Sequence, residues 1–207
     1  MQIHSGRPKD LEKRAKILQA AKSIFLKMGY HFTNMNQIAK EAGVTKLTVY
    51  NHFQDKGNLF ICAIEESCEE SIRTKQFELT ADSDFKQALQ LMCQRALSII
   101  YLPEALKLDC LLFELAAEQS PLTQQFFDAS HTRMCHVWCD FFEQAIAFKF
   151  IQADAPLKQT ELIISLMLGI RHQQVLLGLA PVPTANEIDQ IIQHAIEIFL
   201  LKYQPTI

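Results

Sequence analysis

The chain has 207 residues, of which 49% are hydrophobic and 21% charged, with six glycines and seven prolines. This composition excludes a disordered chain, which buries too little apolar surface, and a fibrous chain, which needs far more glycine and proline. So few glycines also argue against an all-β fold, which needs a turn about every ten residues.

The formal net charge of −3 is distributed unevenly along the chain. The first 60 residues hold ten basic and four acidic side chains, a balance of +6, whereas the remaining 147 hold ten and nineteen, a balance of −9. A basic segment joined to an acidic one indicates a polyanion-binding module attached to a part with another role.

The predicted elements begin with a flexible basic arm at residues 1–9. Residues 6–9, Gly-Arg-Pro-Lys, resemble the arms whose Arg enters a narrow minor groove of DNA. An unordered tail without a DNA contact is the alternative. From about Asp10 to Met28 apolar residues recur with a helical period, and Gly29 follows where the helix is expected to end.

Two short helices follow, separated by a tight break. Asn34 can begin the first of them in a capping box, and this helix stops at Gly43. Thr45 can cap the second, which directs Val49 and Phe53 inward. Two short helices joined in this way predict a helix-turn-helix, whose second helix enters the major groove of DNA.

The rest of the chain has the pattern of apolar helices with an acidic surface. Helices are predicted at about 58–77, 85–100, 103–118, 121–150, 160–179 and 186–203, with prolines at or between their ends. No strand and no internal repeat is evident in the sequence. We therefore predict an all-α fold.

Residues 10–60 also carry a characteristic run of side chains. They are Arg14, Ile17, Leu18, Ala20, Ala21, Phe25, Gly29, Thr33, Ile38, Ala39, Ala42, Gly43, Val44, Thr45, Thr48, Val49, Tyr50, His52, Phe53, Lys56 and Leu59. This run resembles, without a gap, the N-terminal DNA-binding domain of the TetR/AcrR family of transcriptional regulators. Two positions depart from the family pattern: Leu47 stands where a small residue is common, and Gly57 where Glu is usual.

The resemblance implies an all-helical homodimer with two domains. Residues 10–58 would form a three-helix helix-turn-helix domain, and residues 59–207 a helical ligand-binding and dimerisation domain. A small effector bound there would release the protein from a palindromic operator, as in a repressor. The alternative is a regulator of the same fold that responds to a protein partner or to thiol oxidation. An enzyme is not expected, because no Gly-rich phosphate loop, nucleophile elbow or paired carboxylates occur.

Base contacts are predicted on the second short helix. If Val49 faces the core, the opposite face presents Lys46, Leu47, Tyr50 and Asn51. Lys46 and Asn51 suit guanine and adenine edges, respectively. Leu47, or the methyl group of neighbouring Thr48, could contact a thymine methyl group.

Phosphate contacts are predicted for two groups of side chains. One group is polar or basic and lies on or just after the second short helix, and the other lies near helix N-termini, where backbone amides also receive phosphates. The predicted phosphate contacts are Thr33, Asn36, Thr45, Tyr50, His52 and Lys56.

The last two helices are the predicted dimer interface. Their apolar residues could pair with the symmetry mates in a four-helix bundle, as the resemblance also implies. The predicted interface residues are Leu162, Leu166, Ile170, Ile188, Ile192, Ile196 and Phe199. The alternative is that these residues complete the core of a monomer.

The C-terminal region is similar to the AefR-like subset of the family, and its central helices are rich in large apolar side chains. An apolar cavity among them would suit a hydrophobic or aromatic effector. The candidate pocket residues are Met92, Phe113, Phe127, Met134, Trp138, Phe141 and Phe142. An ordinary filled core is the alternative for each of them.

Neither end of the chain carries a targeting or membrane signal. The first ten residues contain no apolar run, and the longest apolar stretch near the C-terminus ends at Arg171, short of the roughly 20 residues that span a bilayer. We expect a cytoplasmic protein with no membrane partner. Its six cysteines are expected to be reduced and mostly buried.

One segment contains several potential metal ligands. His131, Cys135 and Cys139 follow one another at intervals of four residues, which places neighbours on one helix face. Zinc sites usually take ligands from more than one element, and the sequence offers no matching second element. The pattern therefore predicts no metal site, and no cofactor is expected.

Overall fold

The computed structural model describes residues 7–72 and 78–204, those at 7–9 and 69–72 by their backbone alone. Within these ranges every regular element is helical, which confirms the predicted all-α fold. The helices are α1 (Arg7–Phe32), α2 (Met35–Glu41), α3 (Lys46–Phe53), α4 (Lys56–Ile72), α5 (Phe85–Ile100), α6 (Pro103–Ala117), α7 (Leu122–Phe127), α8 (Arg133–Ala147), α9 (Pro156–Leu176) and α10 (Ala185–Tyr203). None of them is long and apolar enough to cross a membrane.

Helices α1 and α4 begin earlier than predicted. Residues 7–9 of the predicted flexible arm form the first residues of α1, and residues 1–6 lie outside the described part of the chain. Gly29, the predicted end of this helix, has non-helical torsion angles (φ 80°, ψ 170°). Helix α4 begins at Lys56, inside the predicted break, and the last residues predicted for it, 73–77, are not described.

Two C-terminal helices also differ from the prediction. The single helix predicted at 121–150 is divided by a π-helical segment, Asp128–Thr132, and ends at Ala147. Helix α9 begins at Pro156 rather than near residue 160, because the fixed φ and missing N–H of proline suit the first helical position. It contains Gly169 in a non-helical conformation (φ 45°, ψ −153°).

The chain divides into two compact units. The first combines Met1–Arg73 with Cys110–Ser130, and the second combines Thr74–Asp109 with His131–Ile207. The second half of α6 and all of α7 therefore pack with the N-terminal helices, although the sequence pattern places them in the C-terminal domain. The predicted functional boundary near residue 58 stays a prediction.

Aromatic rings from three helices form the core of the first unit. Phe60 of α4 lies edge-on to Phe25 of α1, with ring centroids 4.9 Å apart, and tilted against Phe126 of α7 at 5.6 Å. All three side chains are almost completely buried. Such pairs add roughly 0.5–1.5 kcal/mol each beyond the burial of apolar area, so they hold α1 and α7 against α4.

The core of the second unit is centred on α8. Phe142 is fully buried and stacks against Trp138 of α8 and Phe199 of α10, with ring centroids 5.8 and 5.1 Å apart. Helix α8 packs on α9, and α10 packs on both α5 and α9. The amphipathic pattern of α8 thus directs one aromatic stripe into a helical bundle.

The cysteines differ in exposure more than expected. No disulfide joins any of the six, all of which lie in the described residues; only Cys93 is buried, Cys110 is exposed and the other four are half-buried. Burial raises the pKa of the Cys93 thiol to about 12.

We expect Cys93 to resist thiol reagents in the native protein. The thiolate is the reacting species, so at about pH 8 a disulfide reagent should modify Cys110 readily and Cys93 only after denaturation. Mass spectrometry of digested protein measures both sites. Labelling of Cys93 at the rate of Cys110 in the native protein would contradict its burial.

Candidate nucleic-acid interface

Helix α2 begins with the predicted capping box. The Asn34 Oδ1 atom accepts hydrogen bonds from the backbone amides of Asn36 and Gln37, both at 3.1 Å. The Gln37 Oε1 atom in turn accepts from the Asn34 amide at 2.9 Å. These bonds satisfy amide groups that a helix start leaves without partners. The local sequence therefore determines where α2 starts.

The turn between α2 and α3 depends on glycine. Gly43 has a φ of 66°, in the left-handed region that other residues rarely adopt. The next amide, of Val44, donates back to the Ala39 carbonyl at 3.0 Å, which is the bond of a Schellman ending. This ending closes α2 and leads directly into the cap of α3.

Helix α3 exposes the face that the sequence predicts. The Thr45 Oγ1 atom accepts the Thr48 amide at 3.2 Å and caps the helix, and Val49 and Phe53 are buried. The exposed side chains opposite them are Lys46, Leu47, Tyr50 and Asn51. Leu47 is 69% exposed, an arrangement that leaves its methyl groups available to a partner surface.

Lys46 and Tyr50 are neighbours on this face. The Lys46 Nζ atom lies 5.6 Å from the centroid of the Tyr50 ring, a distance at which the ring attracts the cation. Both groups are exposed, so the pair presents a positive charge and a phenolic hydroxyl together. Asn36 and Thr45 are exposed as well.

Three predicted phosphate contacts are engaged inside the protein instead. Thr33 is 1% exposed and its hydroxyl donates to the Gly29 carbonyl at 2.7 Å. The Lys56 Nζ atom donates to the Tyr30 carbonyl at 3.0 Å and lies 4.3 Å from the Tyr30 ring centroid.

Burial lowers the pKa of Lys56, as expected for an amine directed inward. The His52 Nε2 atom lies 3.3 Å from Asp10 Oδ1, and its side chain is 14% exposed. The three side chains thus contact other residues of the first unit. The residue types alone do not indicate these contacts.

The sequence pattern leaves out one basic side chain on this surface. Lys40 is exposed in the last turn of α2, directly before the turn. The sequence signal for Lys40 is a basic residue just before the predicted helix end at Gly43. It adds a positive charge to the helix-turn-helix without an internal role in the described structure.

Comparison with known proteins agrees with this geometry. Residues 17–62 match the family model of bacterial regulatory proteins of the tetR family. Residues 87–205, more than half of the chain, match the C-terminal domain model of AefR-like transcriptional repressors. The chain belongs to the TetR family of transcriptional regulators.

Individual relatives support the membership in the TetR family. LmrA of Bacillus subtilis, an HTH-type transcriptional regulator, is 33% identical over 144 residues, which are 65% of this chain and 71% of LmrA. Matches to two other curated regulators, from Mycolicibacterium smegmatis and B. subtilis, span 37% and 45% of those proteins, so the chain covers less than half of their length. The regulator names of these relatives confirm that the protein is not an enzyme.

Two solved structures are similar to this chain over 94% of its length. A TetR-family regulator from Mesorhizobium loti has a TM-score of 0.84 at 25% identity, covering 94% of this chain and 98% of that one. The flavonoid-responsive regulator FrrA has a TM-score of 0.76 at 28% identity, with the same two coverages. These similarities confirm the N-terminal helix-turn-helix followed by a C-terminal helical domain.

The predicted effector residues of this TetR-family protein do not form one group. Met92, Trp138, Phe141 and Phe142 are buried in the core of the second unit, and half-buried Met134 packs against them. The other two predicted residues, Phe113 and Phe127, are 59% and 44% exposed and belong to the first unit.

The second unit has an open cleft of about 590 Å³. Of the predicted effector residues, only Met92 and Phe141 line it. Acidic side chains contribute much of the remaining wall, which comprises Glu78, Val137, Asp140, Glu143, Gln144 and Ala147. The cleft is therefore more acidic than the apolar cavity that the sequence predicts.

The predicted dimer residues also divide into two groups. Ile192, Ile196 and Phe199 are buried at 2% exposure or less in the core of their own protomer, so they are not available to a partner. Leu162, Leu166 and Ile188 are half-buried. Ile170 is 74% exposed.

One group of side chains has the composition of a metal site. His31, Glu114 and Glu118 of the first unit each bring one ligand atom within 4.8 Å of the others. All three are exposed, and the His31 Nε2 atom already lies 2.7 Å from Glu118 Oε2. An ion pair on the surface accounts for this arrangement, and we assign no metal to it.

Proposed function

We propose that the protein is a repressor that binds a palindromic operator as a homodimer and leaves it when a small hydrophobic effector binds the C-terminal domain. The observation that carries this proposal is the exposed face of α3, with Lys46, Tyr50 and Asn51 side by side on a capped helix-turn-helix. A single α3 contacts few base pairs, so two copies related by a two-fold axis are needed for a specific site.

The dimer is proposed to use the outer faces of α9 and α10. Ile170 and Leu177 are 74% and 72% exposed at the end of α9, and Ile198 and Leu201 are 49% and 74% exposed on α10. Residues three or seven positions apart share one side of a helix. Apolar side chains in such a stripe are typical of a surface that a partner covers.

Replacing both Ile198 and Leu201 with glutamate is expected to yield a monomer. The four carboxylates in a closed interface would be buried without partners, which costs several kcal/mol. Light scattering should show the mass of one chain, and operator affinity should fall steeply. The matched control is Leu91→Glu on α5, a residue 49% exposed outside this surface; a dimeric double variant would contradict the proposed interface.

The effector is proposed to be small and largely apolar, and flavonoids are the first class to test. FrrA, which is named as flavonoid-responsive, is similar over 94% of this chain. Release requires that the ligand change the separation of the two α3 helices away from one DNA turn, about 34 Å. Effector-bound and operator-bound dimers with the same separation would contradict this mechanism.

Selection of genomic fragments tests the central proposal. Purified protein should enrich fragments that share a short palindrome, and its affinity for them should fall with rising salt because phosphate contacts release counterions. The genes next to the enriched sites would identify the regulated process. Enrichment of no common sequence would refute operator recognition.

A further inference from the structure

Five polar side chains of the second unit form what we name the polar cluster: Tyr101 and His172, which are buried, and Asp109, His131 and Arg171, which are half-buried. The Asp109 carboxylate lies between two imidazoles, with Oδ1 3.6 Å from His131 Nε2 and Oδ2 3.8 Å from His172 Nε2. The Tyr101 ring meets the His172 ring edge-on at 5.6 Å between centroids. The side chains come from the end of α5, α6, the π-helical segment and α9.

Several buried polar atoms of the cluster have no partner among the described residues. They are the Tyr101 hydroxyl, the Arg171 Nη1 atom and the His172 Nδ1 atom. Tyr101 is only 6% exposed and His172 only 9%. A buried donor or acceptor without a hydrogen bond costs about 1–3 kcal/mol, and natural proteins contain few of them. Tyr101 is in ring contact with His172 and feels the charge of Arg171, so three unpartnered atoms on neighbouring side chains indicate that something else completes the site.

The backbone beside the polar cluster is irregular on both sides. His131 belongs to the π-helical segment, and Gly169, with its non-helical torsion angles, comes directly before the turn that carries Arg171 and His172. Both kinds of irregularity cost free energy and are frequent at functional sites. Here each of them sets the position of a side chain of the cluster.

The charges of the polar cluster favour an uncharged ligand. Arg171 is a fixed cation whose Nη2 atom donates to the Pro181 carbonyl at 2.9 Å and lies 3.9 Å from Glu187 Oε1, and Asp109 supplies a second negative charge. Burial raises the pKa of Tyr101 and lowers that of His172. At neutral pH Tyr101 therefore keeps its proton to donate, and neutral His172 has one nitrogen that accepts.

We propose that the polar cluster binds a phenolic hydroxyl group of the effector, whose oxygen accepts from the Tyr101 hydroxyl and the Arg171 Nη1 group and whose proton is donated to His172 Nδ1. A phenol fits better than a carboxylate, which Asp109 would repel, and better than an aliphatic alcohol, whose proton is less acidic. This inference rests on the proposed effector response.

The position of the polar cluster in the chain also suits regulation. Asp109 and His131 are the two residues at which the chain passes between the second unit and the 110–130 segment of the first. Asp109 lies within α6, whose two halves belong to different units. A ligand held by the cluster thus bonds to His172, whose Nε2 atom lies 3.8 Å from Asp109 Oδ2.

Calorimetric titration with chrysin, a flavone with free phenolic hydroxyls, and with its di-O-methyl ether tests the proposal. Chrysin should bind about tenfold or more tightly than the ether, because a site built to bond a hydroxyl rejects an analogue without one. Tyr101→Phe should weaken chrysin binding about tenfold, and His172→Phe should do the same. No binding of chrysin, or equal binding of both compounds, would overturn the proposal.

Thermal unfolding distinguishes two explanations of the unpartnered Tyr101 hydroxyl, a ligand site and a site filled by an ordered water molecule. Tyr101→Phe removes a hydroxyl that lacks a protein partner, so the Tm of the ligand-free protein should stay the same or rise. The matched control is Tyr203→Phe, because the Tyr203 hydroxyl donates to Asp154 Oδ2 at 3.1 Å; its Tm should fall and its chrysin binding should be unchanged. A lower Tm for Tyr101→Phe with unchanged chrysin binding would assign the cluster to water.

The operator assay distinguishes the two proposals. Calorimetry reports ligand binding whether or not the protein binds DNA. Failure of operator binding with intact chrysin binding would refute the proposed function alone. Intact operator binding with no chrysin binding would refute the polar cluster as the phenol site.

Discussion

Replacing Lys46 with alanine is expected to weaken operator binding about 30-fold or more. A good side-chain contact with a base edge is worth about 1–3 kcal/mol, and a dimer loses two of them, which gives roughly 2–6 kcal/mol. Lys46 is exposed at the start of α3, so the free energy of unfolding should change by less than about 0.5 kcal/mol. Gel retardation and urea unfolding measure the two quantities.

The matched control for Lys46 is Lys86→Ala on α5. This residue is also exposed, and the variant has the same net charge but leaves α3 intact. Its operator affinity should stay within about twofold of the wild type, apart from the long-range effect of charge. Equal affinities for the Lys46 and Lys86 variants would show that α3 does not read the operator through Lys46.

Replacing Phe142 with alanine is expected to be the most destabilising single change in the second unit. The side chain is 0% exposed and its ring lies 5.8, 5.5 and 5.1 Å from those of Trp138, Phe141 and Phe199. Loss of a buried phenyl ring leaves a cavity and costs about 3–5 kcal/mol, against a usual total stability of roughly 5–15 kcal/mol. Fluorescence of Trp138, the single tryptophan, reports unfolding of this unit.

The matched control for Phe142 is Phe148→Ala, just beyond the end of α8. Phe148 is 41% exposed, so its loss should cost about 1 kcal/mol or less. The comparison also decides between the two interpretations of Phe142. A filled core predicts the large loss of stability, whereas a residue lining an effector cavity predicts a small loss of stability and a large change in ligand binding.

The helix-turn-helix could be predicted because its signals are local. Asn34, Gly43 and Thr45 each act on backbone groups within five residues of themselves, so their residue types are enough to start and stop two helices. The same locality made the exposed face of α3 predictable. With Val49 and Phe53 inward, helical geometry leaves Lys46, Tyr50 and Asn51 outward.

The burial of the apolar side chains in the C-terminal helices could be predicted only in part, because an apolar side chain looks the same from the sequence whether it lies in the core or on the surface. Ile192 and Ile198 are both isoleucines on α10, yet the first is 1% and the second 49% exposed. Which of them faces the protomer's own core depends on how α10 packs against α5 and α9. Phe113 lies in the first unit rather than beside the other predicted pocket residues, because the second half of α6 packs with that unit.

By itself the sequence predicted an all-α chain with a basic N-terminal helix-turn-helix, because caps, helical periods and charge balance depend on near neighbours. The TetR family followed from the resemblance of the run of side chains in residues 10–60. Only the tertiary structure decided that Lys56 bonds inward to the carbonyl of Tyr30, which lies 26 residues earlier in the chain. It also brought Tyr101, Asp109 and His172 into one group. These contacts join residues that are far apart in the chain or on different helices, and no local pattern encodes the packing that brings them together.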